Sequence, residues 1–275
     1  MRKFKLINDK GQEFNLMRRD AFFSSPSGLG FSMSTTLINA GGEFVVTDRE
    51  FNNTPISGEM VFKGYAQYQE FVQFLTENIK LGYAALGQWY FVDGTVTSLA
   101  KTEIDSTTGL LFCGIEITPT TQWYLPATFQ QTQAEPSDGK VYEYTYPYTY
   151  AGAEMGAIDI TNVGNASSPC RIYIIGRCVN PRWVLRQGGE EIAEGKVNAT
   201  IELGRKMLIS SDPSDMQISE LASDNTFVQS LYQASDFSTA RFLYIPPGES
   251  TLYFYGDGEE AITAYVEVMQ LAATV

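Results

Sequence analysis

The sequence predicts a mostly β protein of two domains, on three observations. Apolar and polar residues alternate in short runs along most of the chain, the period of half-buried strands. Aromatic residues make up 13%, with 16 Tyr and 17 Phe, a composition that favours strands over disorder or coiled coil. One stretch alone, Tyr65–Lys80, changes to the three- and four-residue spacing of an amphipathic helix. A length of 275 residues is enough for two domains or one large β domain. The run QQTQAEPSDGK, Gln130 to Lys140, is polar with a Pro and a Gly and has linker composition. The predicted division is therefore a first domain at 1–130, a linker at 131–139 and a second domain at 140–275.

Residues 3–16, KFKLINDKGQEFNL, predict a hairpin in which Phe4 and Leu6 are answered by Phe14 and Leu16 across an Asn-Asp-Lys-Gly turn. The polar SSPSGLG, Ser24 to Gly30, reads as a loop. Between Phe31 and Phe62, three strand-like runs are divided by Gly41-Gly42 and by Asn52-Asn53-Thr54-Pro55, which predicts long paired strands. In Tyr65–Lys80, the residues Tyr68, Phe71, Phe74, Leu75 and Ile79 form a stripe expected to bury on a sheet, with Gly82 as the stop signal. Ala84–Val92, Gly94–Thr102 and Leu110–Thr118 read as strands divided by Asp93-Gly94 and by Asp105–Gly109, and Trp123-Tyr124 closes the half.

The second half is organised around Ile158 to Gly189. Ile158, Ile160, Ile172 and Ile174 give each of two strands an apolar face, while Arg171 and Tyr173 take the other face. Asn162, Gly164 and Asn165 make the first connection, Pro169 begins the second strand, and Asn180-Pro181 turns the chain into a third strand at Trp183, Val184 and Leu185. Leu203–Ile209, Arg241–Ile245, Thr251–Tyr255 and Ile262–Leu271 read as further strands.

Composition excludes several function classes. The chain has no histidine, so Ser-His-Asp and Cys-His catalysis and His-ligated zinc are ruled out. Cys113, Cys170 and Cys178 are too few for a Cys₄ site or a disulfide framework, and read as reduced buried thiols. The net charge of −13 argues against sequence-independent nucleic-acid or anionic-membrane binding. Its distribution is uneven: residues 1–130 hold ten Lys and Arg against thirteen Asp and Glu, a net −3, which leaves −10 for 131–275. No apolar run reaches the length of a membrane span, and MRKFKLINDKG lacks the apolar core of a signal peptide, which predicts synthesis in the cytoplasm. Glu190/Glu191 and Asp257/Glu259/Glu260 are the candidate carboxylate pairs for a hydrolase, and Asp212–Asp215 and Asp257–Glu260 the candidate calcium ligands. All sit beside turn residues and read better as solvated turn charges, so no catalytic, cofactor-binding or metal-binding residue is expected. For carbohydrate binding the candidates are Trp183, Tyr146, Tyr148 and Tyr150, with Trp183 read first as a core residue.

Taken in order, ITNVGNASSPCRIYIIG, NPRWVLRQGG, GRKMLISSDP and FLYIPPGESTLYFYGDG resemble the galectin-like carboxy-terminal domain of distal tail (Dit) proteins, the hub proteins of long-tailed, siphovirus-type phages. The order of the first half, a hairpin, long strands, one helix and three more strands ending in an aromatic pair, is similar to the amino-terminal domain of the same family. The resemblance implies an amino-terminal β-sandwich or split-barrel-like domain with one helix, followed by a galectin-like β-sandwich. It also implies a virion protein assembled in the host cytoplasm as a hexameric ring at the tail tip, built by the amino-terminal domains. Such a ring joins the tail tube protein to the tail-associated lysin or tip protein, often carries receptor-binding proteins, lets DNA pass without binding it specifically, and has no catalytic role, cofactor or membrane contact. The alternative is a carbohydrate-binding adhesin module that contacts the host cell wall, although the missing histidine departs from the sugar motif of true galectins. Some members carry an extended arm in the second domain; Ser210–Phe237 is only a modest polar stretch, so no such arm is expected.

Overall fold

The structure is a computed structural model that describes residues 2–84, 87–131, 153–257 and 262–275. The chain divides into two compact units, Met1–Leu125 with Leu271–Val275, and Pro126–Gln270. Of the expected linker, residues 132–139 lie outside the described residues, as do Tyr146, Tyr148 and Tyr150.

In the first unit, β1 (Lys3–Asn8) and β2 (Glu13–Asn15) form the expected hairpin, with Leu6 opposite Phe14. β3 (Ala21–Ser27) runs into the stretch from Ser24 where a loop was expected, because after the buried Ala21 and Phe23 the pairing continues through Ser24 opposite Glu59 and Ser27 opposite Ser57. β4 (Ser32–Ala40), β5 (Glu43–Asn52) and β6 (Ile56–Phe62) are the three predicted runs. The helix α1 spans Tyr65–Phe74 and is followed by β7 (Ile79–Ala84), β8 (Trp89–Lys101), β9 (Leu111–Pro119) and β10 (Trp123–Gln130).

Two differences from the sequence reading come from pairing between strands distant in sequence. The helix stops at Phe74, not Lys80: Leu75 is already extended at φ −64°, ψ 135°, and Ile79 and Lys80 join a ladder opposite Asn8 and Ile7. Asp93-Gly94 is not a turn but the middle of the 13-residue β8. Up to Gly94 this strand pairs with β7, and from Gly94 it pairs with β9, so one strand serves both layers of a sandwich. A Cβ on Gly94 would lie 2.6 Å from the Thr118 carbonyl oxygen, so the glycine permits close approach at this corner.

The layers β2-β1-β7-β8 and β3-β6-β9-β8 enclose the core. Strict alternation places Leu111, Cys113, Ile115 and Ile117 of β9 inside, together with Phe4, Leu6, Phe23, Met60, Phe62 and Leu81. Phe71 of α1 is fully buried against Phe14 and Phe62, with ring centroids 5.1 and 5.5 Å away, whereas Phe74 and Leu75 are half-buried. Arg18 fastens the helix to the sheet, reaching Glu70 at 2.6 Å and Asp20 at 3.0 Å, and its hydrogen bonds hold the Asp20 carboxyl below the usual carboxylate range.

The second unit is a sandwich of two antiparallel sheets. In chain order its strands are β11 (Ala153–Asn162), β12 (Ser168–Ile175), β13 (Cys178–Val179), β14 (Arg182–Gln187), β15 (Glu190–Lys196), β16 (Thr200–Ile201), β17 (Arg205–Ser210), β18 (Gln217–Ala222), β19 (Phe227–Ser230), β20 (Tyr244–Ile245), β21 (Gly248–Gly256) and β22 (Thr263–Ala272). One sheet runs β11-β21-β14-β15 and the other β19-β18-β17-β12-β22. Ile158, Ile160, Ile172 and Ile174 are all buried between them, as their period required. The residues 210–237 fold as β18, β19 and a 3-10 turn on the sheet, and Arg241–Ile245 is reduced to the two-residue β20.

Trp183 lies at the centre of this core at 0% exposure, directly opposite Gly195 on β15. A Cβ there would stand 2.4 Å from the indole, so Gly195→Ala is expected to destabilise the protein by about 1–3 kcal/mol through overpacking. A denaturation midpoint unchanged in this variant would show that the indole has room to move.

Candidate assembly surfaces

β4 and β5 form a hairpin in which every residue is exposed, and they pair with each other alone among the described strands. Its two faces differ. Cross-strand pairs share a face, so Met33 with Phe51, Leu37 with Val46, and Phe44 beside Asn39 lie on one side together with Thr35 and Arg49. Ser32 with Asn52, Ser34 with Glu50 and Thr36 with Asp48 lie on the other, which turns apolar only at Ile38 and Val45 near the tip. A bulge after Thr36 keeps the two strands in step across this change. Phe31 extends the apolar face at the root, its ring 5.8 Å from that of Phe51. Phe44 is 70% exposed and Phe31 57%. A two-stranded ribbon is marginal alone in water, and this one leaves uncovered a row of side chains each worth about 1.5–3 kcal/mol on full burial.

The arm's base is fixed while its length is free. The Asn53 side chain donates to the Pro119 carbonyl at 2.7 Å, and a hollow of about 240 Å³ lies there between Phe31, Phe51, Val92 and Trp123. By contrast, the aromatic outer face of β7 and β8 is covered by the unit's own lysines. Lys5 Nζ lies 4.8 Å from the Trp89 ring and Lys80 Nζ 5.6 Å from that of Tyr124, while Glu13 and Asp93 balance the two charges.

The residues weighed for chemistry do not converge. Glu190 and Glu191 are exposed beside the Gly188-Gly189 turn. Asp212 accepts from Ser214 and, with Asp215, pairs with Arg171 at 3.0 and 3.5 Å, so these carboxylates close a turn and face a guanidinium. Asp257 accepts from Asn180, and Glu259 and Glu260 lie outside the described residues. Among the described residues no three Cys, Asp or Glu gather as metal ligands. Trp183 is sealed in the core and cannot stack on a sugar.

Cys113, Cys170 and Cys178 are free and buried; burial raises all three thiols, Cys170 to about 12 and Cys178 to about 11. Since only the thiolate reacts, the native protein is expected to show no thiol accessible to Ellman's reagent at about pH 8 and all three after unfolding. A thiol that reacts rapidly in the native state would contradict this burial.

Residues 3–120 match the family model described as the distal tail protein, N-terminal domain. The first unit belongs to the distal tail protein family. That domain is one of a phage tail-tip component. The fold agrees over its whole length with solved structures of low identity. A chain of the phage P2 baseplate in its activated conformation with calcium superposes with a TM-score of 0.67 at 17% identity, covering 100% of both chains. The strontium form gives 0.67 at 18%, again over 100% of both. The SPP1 Dit protein gives 0.63 at 12%, over 97% of this chain and 98% of that one. No curated protein matches the chain.

In the first unit the arm stands apart, and sequence reading found its strands without finding their exposure on both faces. The available signal was the Ser, Thr and Asn content of SMSTTLINA, too polar on one face for a strand between two layers.

Proposed function

We propose that the chain forms a hexameric ring at the tail tip, in which the first unit makes the ring and each β4–β5 arm lies against the next copy. The observation that carries this reading is the uncovered apolar face of the arm. A closed ring needs a heterologous contact, one patch on each subunit meeting a different patch on its neighbour. Outside the arm and Phe31, the exposed large apolar residues described in the first unit are Tyr65 and Val72. Both lie on α1; Tyr65 is engaged by its own unit, its hydroxyl donating to Glu103 at 2.7 Å and its ring 4.6 Å from Lys101 Nζ, which leaves Val72 with the neighbouring exposed Gln69 and Gln73 as the patch offered to the arm. The count of six is what the family resemblance implies. The SPP1 Dit protein is described as a paradigm of the hub adsorption apparatus, which supports a hub role here.

In this reading the ring joins the tail tube protein to the tail-associated lysin or tip protein, with the second unit outside as a platform that can carry receptor-binding proteins. Charge favours that arrangement: six copies of a half at −3 crowd with less repulsion than six at −10. A mildly acidic lumen would also let DNA pass without holding its phosphates. The role is structural, without catalysis, cofactor or metal. The test is the mass of the full chain in solution with and without Val72→Asp. A ring-sized particle that the variant splits supports the reading, and a monomeric wild-type chain opposes it.

A further inference from the structure

On the outer face of the β11-β21-β14-β15 sheet, three strands bring unlike polar groups side by side. Thr251 lies opposite Asp159 on one side and Arg186 on the other. Glu249 faces Thr161 one step along, and Tyr253 stands one step back. With the Gly188-Gly189 turn they line a groove of about 520 Å³. Thr251 Oγ1 donates to Asp159 Oδ1 at 2.9 Å and so orients that carboxylate.

Arg186 is best understood beside Arg182, on the same face of the same strand. Both guanidinium groups lie over tyrosines, Arg182 5.4 Å from the Tyr255 ring and Arg186 5.1 Å from that of Tyr253. Arg182 is also neutralised, its Nε donating to Glu194 at 3.0 Å. Arg186 is not. The register shifts after Leu185, and although Glu191 is its cross-strand neighbour, Arg186 makes no ion pair or side-chain hydrogen bond among the described residues. Its fork of N–H donors therefore lines the groove with no acceptor among the described residues.

We propose that this groove binds a neutral saccharide unit. Sugar hydroxyls donate and accept at once, and here Arg186, held over the half-buried Tyr253 ring, supplies donors while Asp159 and Glu249 supply acceptors. One cation against two carboxylates, in a half of net charge −10, disfavours phosphate and acidic polymers. A guanidinium lining the same groove as the carboxylates disfavours a metal ion. The inference is independent of the ring, since every residue belongs to the second unit.

The experiment is a titration of the full-length protein, followed by saturation-transfer NMR, with the methyl glycosides of glucose, galactose, rhamnose and N-acetylglucosamine. Inorganic phosphate and glycerol 3-phosphate form a separate arm. At least one glycoside should bind saturably. Arg186→Ala, Arg186→Lys and Asp159→Ala should each weaken it about tenfold or more, while Arg182→Ala should leave it unchanged. The proposal is overturned if no glycoside binds, if the Arg186 and Asp159 variants bind as well as the wild type, or if the phosphates bind in preference.

Discussion

The Leu37→Asp, Val46→Asp double variant is expected to reduce a ring-sized particle to the 30.5 kDa chain while leaving that chain folded, with an unchanged circular dichroism spectrum. The two residues face each other on the apolar side of the β4–β5 arm and are exposed in the single chain, so charge there costs the monomer little. In the ring the same side chains would be covered, and an unpaired carboxylate buried at an interface costs several kcal/mol. Repeated around a closed ring, that penalty removes the assembly. Thr36→Asp, on the polar side beside Asp48, is the matched control and should leave the ring intact. A double variant that keeps its ring, as judged by light scattering, would show that the arm's apolar face is not the contact.

Phe71→Ala is expected to destabilise the protein by about 3–5 kcal/mol, the cost of removing a fully buried aromatic ring and leaving a cavity. Phe74→Ala, half-buried on the last turn of α1, should cost about half as much or less. Both follow from denaturant midpoints at constant slope. Equal losses, or a larger loss for Phe74, would mean that the helix packs through a different face.

The contrast between these two phenylalanines shows what the sequence could and could not convey. Tyr68, Phe71, Phe74, Leu75 and Ile79 fit one helical stripe, and the fit is real through Phe74. Beyond it, Ile79 satisfies a helical period and a strand period equally well, and pairing with Asn8, distant in sequence, decides for the strand. Asp93-Gly94 misled in a related way. A glycine needed because another backbone comes close looks the same in one dimension as a glycine that turns the chain.

In the second unit, period-two alternation was enough to place Ile158, Ile160, Ile172, Ile174 and Trp183 inside, because a sandwich buries one face of each strand. The arm and the groove were harder to read. Exposure on both faces of β4–β5 is a statement about what fails to pack against it, and Arg186 differs from Arg182 only through a bulge that shifts its neighbours.

The central claim is a closed ring, and negative-stain microscopy of the purified full-length protein, with particle mass measured on the same sample, tests it most directly. The account predicts rings with an axial hole and a mass near six times the 30.5 kDa chain. Compact particles of single-chain mass, unchanged as the protein is concentrated, would contradict it.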